Sequence, residues 1–209
     1  MKVLELFAGS RSFSNVAEEL GHEVYTTDIE PFDRIDQVCD IFDFDVHKMR
    51  EEFGMPDVIW ASPPCTYFSV ASIGHHWHKD HTPKTLQALN GVKIIIHTKF
   101  IIQLLEPKYF YIENPRGKLR KLDVMTKESY FRNTVWYCQY GDNRAKPTDI
   151  WTNDYNWIPR NPCFNGNKNC HHQPAPRGSR TGTQGLNNTY DKSKVPSELC
   201  RDILLGLDD

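Results

Sequence analysis

The chain has 209 residues, of which 39% are hydrophobic and 25% charged, and its formal net charge at pH 7 is -2. This length suits one well-buried domain. The chain contains no unbroken apolar run of roughly 18 residues and no basic segment followed by an apolar leader, which argues against a membrane span and a secretion signal. Its six cysteines lack the regular spacing of a secreted disulfide scaffold. We therefore expect a soluble intracellular protein with reduced thiols.

Charge is distributed unevenly along the chain. Residues 1–57 carry five Lys or Arg against fourteen Asp or Glu, a net charge of -9, whereas residues 58–209 carry a net charge of +7. An acidic cofactor-binding half and a basic substrate-binding half would have this distribution, and so would an uneven solvated surface. Both interpretations stay open on the sequence alone.

Strand and helix patterns alternate over the first half of the chain. Apolar runs predict strands at 2–6, 23–27, 38–41, 57–60 and 109–112, and helical spacing predicts helices at 12–20, 47–53, 83–105 and 195–205. We expect Ser12 to cap the first helix and Gly21 to end it. The alternation predicts an α/β fold, a mostly parallel sheet with helices on both faces. Aromatic alternations at 135–140 and 149–151 predict an antiparallel C-terminal edge.

Chemically useful residues follow several of these predicted strands. In an open parallel sheet, ligands bind beyond the carboxyl ends of the strands. The residues expected on that rim are Gly9, Asp28, Asp40, Cys65 and Glu113. Pro63 and Pro64 fix two φ angles directly before Cys65, so the turn that carries the thiol is rigid. A thiol and a carboxyl group are therefore expected to be neighbours.

Three segments carry a family resemblance, in this order along the chain. They are Leu4-Glu5-Leu6-Phe7-Ala8-Gly9-Ser10, Ser62-Pro63-Pro64-Cys65 and Glu113-Asn114-Pro115. Together they resemble the DNA cytosine carbon-5 methyltransferase family. The resemblance implies a Rossmann-like S-adenosylmethionine-dependent methyltransferase fold. It also implies methyl transfer to carbon 5 of cytosine, through a covalent cysteine adduct to a base flipped out of double-stranded DNA.

The glycine turn after the first strand bears on the choice of cofactor. A dinucleotide site would need a second glycine at position 11, where this chain has Arg11, so NAD is disfavoured. The resemblance implies S-adenosylmethionine, with Asp28 binding the ribose hydroxyls and Asp40 the adenine amino group. The expected cofactor-binding residues are Phe7, Ala8, Gly9, Ser10, Asp28, Ile29, Asp40, Ile41 and Pro63.

The resemblance also implies the catalytic roles. Cys65 would add to carbon 6 of cytosine, and Glu113 would hydrogen-bond ring nitrogen 3 as a neutral acid, which requires a pKa raised by burial. Where the family has Arg-x-Arg, this chain has Arg144-x-Lys146, and we assign Arg144 to the catalytic set because a guanidinium makes planar two-point contacts. The expected substrate-binding residues are Pro64, Ser69, Asn114, Pro115 and Lys146.

The segment expected to read DNA sequence is short for the family. We divide the chain into a catalytic and cofactor-binding part (1–151), a recognition-like insertion (152–190) and a C-terminal helix that packs back on the catalytic part (191–209). Cationic and aromatic residues of the insertion, and Trp151 directly before it, could contact phosphates and bases. Those of the insertion are Arg160, Lys168, Arg177, Arg180, Tyr155, Trp157 and Phe164. Candidate zinc ligands are Cys163, Cys170, His171 and His172. They lack a close Cys-x-x-Cys pair, so we predict no metal site.

Three functions are compatible with these motifs. The favoured one is an active DNA methyltransferase of a phage or mobile element, in the cytoplasm of a bacterial or phage-infected cell, that marks DNA against a restriction nuclease. A second is a tRNA cytosine carbon-5 methyltransferase that uses the same thiol chemistry. A third is a catalytically silent DNA-binding relative, against which the intact Cys65 and Glu113 argue.

Overall fold

The computed structural model describes residues 1–174 and 188–207. A sheet of seven strands runs through it in the order β3-β2-β1-β4-β5-β7-β6. The strands are β1 (Lys2–Leu6), β2 (Glu23–Asp28), β3 (Gln37–Val38), β4 (Val58–Ala61), β5 (Tyr109–Pro115), β6 (Phe131–Trp136) and β7 (Pro147–Thr152). The first five pair in parallel, and β7 runs antiparallel to both β5 and β6. The predicted fold class is confirmed, including the antiparallel edge.

Helices cover both faces of this sheet. They are α1 (Ser12–Glu19), α2 (Val46–Glu52), α3 (Ile73–His76), α4 (Leu86–Leu105), α5 (Asp123–Thr126), α6 (Thr189–Ser193) and α7 (Ser197–Leu205). Along β4, Val58 and Trp60 belong to one apolar core and Ile59 and Ala61 to another. Because successive side chains of a strand point to opposite faces, a continuous apolar run such as β4 is what two covered faces require.

The observed element bounds differ from the predicted ones where tertiary pairing decides. β5 continues through Glu113 and Asn114 to Pro115 because β7 pairs with it over residues 111–115. The strand predicted at 38–41 is only Gln37–Val38, and the aromatic run predicted as a strand at 135–140 bends into a 3-10 turn at Tyr137–Tyr140.

The buried side chain of Glu5, on β1, holds the loop between β1 and α1 in place. Arg11, not Ser12, is the N-cap of α1, and its φ is 52°, in the left-handed region. Glu5 on β1 is 2% exposed and accepts hydrogen bonds from the backbone N–H groups of Ser14 at 2.8 Å and Phe13 at 3.4 Å. A strand side chain therefore does the capping that we expected of Ser12.

α4 is the longest helix. By length and apolar composition it could cross a membrane, but 44% of its most apolar window is buried inside the protein. Ile95, Ile101, Ile102 and Leu105 lie in the core together with β4 and β5 side chains. One side of α4 thus packs in the core, whereas Leu86, Leu89, Ile96, Phe100 and Leu104 are 41–81% exposed.

The C-terminal segment docks on the start of the chain. α7 packs against α1, and its Leu199, Cys200, Ile203 and Leu204 are buried in the same core as Val3 and Phe13. The Val195 N–H donates to the Ser12 hydroxyl at 3.1 Å. Residues 183 positions apart thus meet beside the glycine turn.

Glu5 should make stability depend on pH. Burial raises its pKa from 4.5 to about 7, so the folded protein holds this proton more tightly than the unfolded chain. The stabilising contribution is complete below pH 4.5 and is lost as the pH rises through about 7. At about 1.4 kcal/mol per pKa unit, it amounts to roughly 3 kcal/mol.

We expect the free energy of unfolding to fall more steeply between about pH 5 and pH 8 in the wild type than in Glu5→Gln. Urea unfolding at several pH values measures this difference. The matched control is Glu23→Gln, which changes an exposed carboxyl group at the start of β2 and should preserve the wild-type slope. Identical slopes for the wild type and Glu5→Gln would contradict the prediction.

Candidate active site

The predicted thiol of Cys65 and carboxyl group of Glu113 lie at the carboxyl ends of two neighbouring strands, β4 and β5. β4 and β5 are paired in parallel, with Ala61 opposite Ile112, so the residues after them leave the sheet on the same side. The Asn114 Nδ2 amide donates to the Pro63 carbonyl at 3.0 Å, which ties β5 to the turn that carries Cys65.

The Cys65 turn is closed and tightly packed. The Cys65 carbonyl accepts from the N–H groups of Phe68 and Ser69, both at 3.0 Å. A Cβ atom on Gly117 would lie 2.2 Å from the Phe68 carbonyl oxygen, and the neighbouring Lys118 N–H donates to that oxygen at 2.7 Å. The loop after β5 therefore supports the thiol turn through a contact with no room for a side chain.

Glu113 is buried in an environment that favours its neutral form. It is 5% exposed and accepts a hydrogen bond from the Tyr137 hydroxyl at 3.0 Å. Burial raises its pKa, and the charge of Lys146 and the hydrogen bond of Tyr137 only partly oppose that rise. This is the perturbed acid that the sequence analysis required.

The charges of Lys146 and Glu113 both affect the Cys65 thiol. Burial raises the pKa of its thiol, the charge of Lys146 lowers it, and the charge of Glu113 raises it. The side chain is half-buried. Thiol, carboxyl group and ammonium group therefore act on one another within a single site.

The two predicted cations, Arg144 and Lys146, share several neighbours but differ in their other contacts. Arg144 donates from Nε to the Asp142 carboxylate at 2.8 Å and from its terminal nitrogens to the carbonyls of residues 191, 192 and 194 at 3.2–3.3 Å. Its guanidinium thus contacts the C-terminal segment, and the assignment of Arg144 to the catalytic set stays a prediction. Lys146 donates to the Lys192 carbonyl at 3.3 Å and lies over the Tyr137 ring, with Nζ 4.7 Å from the centroid, next to Glu113.

The predicted cofactor residues largely converge on a narrow cleft. Its lining consists of Phe7, Thr27, Asp28, Ile29, Cys39, Asp40, Ile41, Pro64 and Ile94. Ile29 is 61% exposed there, an apolar surface between two carboxylates. Asp28 accepts from the Gly9 N–H at 2.8 Å, and Asp40 accepts from the Phe42 N–H at 3.0 Å.

Other predicted residues lie beside this cleft. Gly9 and Ser10 line a neighbouring cleft of about 410 Å³ together with Arg34 and Tyr190. Ala8 is buried and shapes the loop through its backbone. Pro64, predicted to contact substrate, lines the narrow cleft, whereas Pro63, predicted to contact cofactor, is buried.

Arg11 occupies the position where a dinucleotide-binding turn would have its second glycine. Its φ of 52° costs a non-glycine residue about 1 kcal/mol or more. The guanidinium offsets this cost, because it is buried and bonds to the Glu18 carboxylate and the Arg34 carbonyl. The turn thus reaches a glycine-like conformation without a second glycine.

A cationic groove lies on the other side of the Cys65 turn. It has a volume of about 780 Å³, and its basic lining residues are Lys79, Lys84, Arg116, Lys118 and Lys121. Gly117 belongs both to this groove and to the contact with Phe68.

Two further predicted substrate-binding residues lie near the Cys65 turn and at the end of β5. The Ser69 hydroxyl is paired with the Ser72 hydroxyl at 3.1 Å, and Pro115 ends β5.

The insertion is partly absorbed into the protein core. Trp151 and Trp157 are buried, so of the predicted base-stacking residues only Tyr155 and Phe164, 64% and 61% exposed, present open surface. Arg160 forms ion pairs with Glu198 and Asp202 of α7. The Lys168 side chain is exposed, and Arg177 and Arg180 lie outside the described residues.

Two functional neighbours escaped the sequence analysis. Tyr137, which donates to Glu113, sits in the aromatic run that we predicted as part of a strand, where nothing distinguished it. Cys138, next to it, lies with Cys163, Cys170 and His172. His171 instead contacts the Asp142 carbonyl at 3.0 Å.

Comparison with known proteins places this geometry in a family. A model of the C-5 cytosine-specific DNA methylase family matches residues 1–130. The chain is 31% identical over 168 residues, 77% of its length and 74% of the relative's, to the Frog virus 3 (isolate Goorha) protein named "Probable DNA (cytosine-5)-methyltransferase".

A solved structure shares the fold. It is described as a prophage-encoded DNA modification methyltransferase (E. coli), with a TM-score of 0.53 and 16% identity over 78% of this chain. The alignment covers 52% of that structure, so the present chain spans about half of its length. The family match and the thiol, carboxyl and glycine-turn geometry agree: the chain belongs to the C-5 cytosine-specific DNA methylase family, which confirms the family and the enzyme class, DNA (cytosine-5)-methyltransferase, predicted from its sequence.

Proposed function

We propose that this chain methylates carbon 5 of a cytosine flipped out of double-stranded DNA, through a covalent adduct of Cys65, with S-adenosylmethionine as methyl donor. The observation that carries the proposal is the single site in which burial raises the pKa of both the Cys65 thiol and the Glu113 carboxyl group, while the charge of Lys146 lowers both. A thiol alone in a turn would support no such reaction.

The narrow cleft lined by Asp28, Ile29 and Asp40 offers groups suited to the adenosine part of S-adenosylmethionine. The exposed Ile29 side chain offers an apolar face for adenine, and Asp40 has acceptor capacity beyond its bond to the Phe42 N–H for the adenine amino group. Asp28 accepts two backbone N–H bonds, and its remaining lone pairs suit ribose hydroxyls. When bound, this cofactor supplies an electrophilic methyl group.

Cys65 makes the cytosine ring reactive. Its thiolate adds to carbon 6, which turns carbon 5 into an enamine-like nucleophile. Because burial opposes the charged thiolate, Lys146 is the group that favours it. After carbon 5 has gained its methyl group, loss of the proton from that carbon lets the Cys65 sulfur leave and restores the aromatic ring.

Glu113 stabilises the charge that develops during the addition. As a neutral acid it can donate to ring nitrogen 3, where electrons accumulate when sulfur bonds to carbon 6. The Tyr137 hydroxyl donates to Oε1, and the Ser62 side chain also hydrogen-bonds to the carboxyl group. Asn114 positions the thiol by holding the Pro63 carbonyl.

The cationic groove next to the Cys65 turn is suited to the DNA backbone. Five Lys or Arg side chains line it, and phosphate contacts by such groups supply most of the sequence-independent affinity for DNA. Gly117 couples this groove to the thiol turn. A strand seated there would place a flipped base near Cys65. Such an enzyme would serve as a phage or mobile-element DNA modification activity in the cytoplasm.

The covalent step can be tested by trapping. DNA containing 5-fluorocytosine, with S-adenosylmethionine, should give a stable protein–DNA adduct because fluorine cannot leave carbon 5 as a proton. Gel electrophoresis under denaturing conditions and peptide mass spectrometry should locate the adduct on Cys65. Glu113→Gln should trap at least about 10²-fold more slowly.

The control is Cys65→Ser, which should not be trapped. An adduct on any other cysteine, or trapping of Cys65→Ser, would contradict the proposed nucleophile. A parallel reaction with tRNA containing 5-fluorocytidine tests the RNA alternative, since adduct with tRNA but not with DNA would overturn the DNA assignment.

The roles of the two cations can be separated by the pH dependence of Cys65. Lys146→Gln should slow alkylation of the Cys65 thiol at neutral pH and shift its pH profile to higher pH, because the charge of Lys146 lowers the thiol pKa. Lys146→Arg keeps the charge and should restore the profile. Peptide mass spectrometry of Cys65 modification measures both.

Arg144→Gln serves as the comparison. It should leave the Cys65 profile unchanged and reduce the free energy of unfolding by about 1–3 kcal/mol, since it removes bonds to Asp142 and to the 191–194 backbone. A shift of the thiol profile in Arg144→Gln, and none in Lys146→Gln, would reverse the assignment.

Gly117 should be needed for the position of the thiol. Gly117→Ala brings a methyl group to within 2.2 Å of the Phe68 carbonyl, so we expect a loss of methylation rate of tenfold or more and a stability loss of about 1–3 kcal/mol. Gly74→Ala adds a methyl group where no atom lies within 4 Å. Equal methylation rates for the two variants would refute the proposed contact.

A further inference from the structure

Four metal-ligating side chains meet outside the site described above. They are Cys138, Cys163, Cys170 and His172, and their ligand atoms all lie within 4.8 Å of one another. Around a tetrahedral zinc ion, with bonds of about 2.0–2.3 Å, ligand atoms lie about 3.5–3.8 Å apart. Small side-chain rotations would bring these four into that arrangement.

We propose that these four residues bind one structural Zn²⁺ ion. Three thiolates and one imidazole form a closed donor set of the kind that zinc takes in structural sites. Cys138, Cys163 and His172 are at most 5% exposed, so the site is shielded from water. All three cysteines are free thiols, and a disulfide would use two of them and leave the third with the imidazole.

The surroundings of the sulfur atoms suit thiolates. The Gln139 Nε2 amide lies 3.8 Å from the Cys138 sulfur and 3.7 Å from the Cys170 sulfur, in position to donate to both. The Asn167 Nδ2 amide donates to the Cys163 sulfur at 3.4 Å. N–H groups directed at thiolates are the outer-shell partners that tune and orient metal ligands.

Binding involves a defined exchange of protons. Three thiols lose their protons to solvent as three Zn–S bonds form, and the imidazole contributes a neutral nitrogen. The His172 Nδ1 atom lies 3.9 Å from the Cys163 sulfur, while its Nε2 accepts from the Gly166 N–H at 3.2 Å. Coordination through Nδ1 moves the ring proton to Nε2, so the Gly166 contact must open.

The position of the cluster suggests what the metal supports. Cys138 follows Tyr137, the hydrogen-bond partner of Glu113, and the cluster packs around Ala145, which lies between Arg144 and Lys146. Cys163, Cys170 and His172 belong to the irregular insertion. The metal would therefore fasten this short segment, which has little core of its own, to the back of the catalytic site. This supporting role of the metal rests on the proposed function, whereas the zinc site itself does not.

The test uses the full chain, purified without a histidine tag from zinc-supplemented cells. Elemental analysis should find about one zinc per chain. After removal of the metal by a chelator, titration with Co²⁺ should give the visible bands of tetrahedral cobalt and a thiolate-to-cobalt charge-transfer band. Alkylation of Cys138, Cys163 and Cys170 should be slow in the zinc-loaded protein and fast in the chelated protein.

Variants assign the ligands. Cys138→Ser, Cys170→Ser and His172→Gln should each lose the bound zinc or the wild-type cobalt spectrum. Two matched controls, Cys65→Ser in the active site and His171→Gln next to the cluster, should retain both. These readouts do not depend on methylation, so failure of the proposed function would leave them intact. Wild-type protein without zinc and without a cobalt spectrum, or with iron in place of zinc, would overturn the proposal.

Discussion

Because β4 and β5 run parallel and are paired along their length, the chain leaves both strands on the same side of the sheet. Cys65 and Glu113, 48 residues apart in the numbering, become neighbours through this pairing alone. The bond from Asn114 to the Pro63 carbonyl and the packing of Gly117 against Phe68 then reduce the freedom of the two loops. The proximity of Cys65 and Glu113, on which the proposed chemistry rests, therefore depends on the pairing of β4 with β5.

Burial shifts the pKa of the two acids of the site in the same direction, but with opposite consequences for the proposed chemistry. It raises the pKa of both Glu113 and Cys65, which suits a carboxyl group that must donate a proton but hinders a thiol that must lose one. Lys146 offsets the second effect, because its charge favours the thiolate. The same charge also lowers the pKa of Glu113, but there the effect of burial is larger.

The insertion shows how a short segment can be held without a core of its own. Trp157 enters the core near α7, Arg160 pairs with α7 carboxylates, and His171 contacts the loop before Arg144. Arg144 in turn binds the backbone just before α7. The catalytic edge, the insertion and the C-terminal helix thus support one another through these polar anchors and through the apolar core that Tyr137, Trp157 and α7 share.

Much of this protein could be read from local patterns. The alternation of apolar runs and helical spacing determined the fold class, and Pro63-Pro64-Cys65, the Gly9 turn and Glu113 determined the family, because rigid turns and strand ends are local properties of the chain. The contacts of Arg144 and Lys146 and the Tyr137 partner of Glu113 were decided only by the tertiary structure. So was the meeting of Cys138 with Cys163, Cys170 and His172, 25 or more residues away in the numbering. Each depends on which distant backbone packs beside a side chain, and no spacing in the sequence records that.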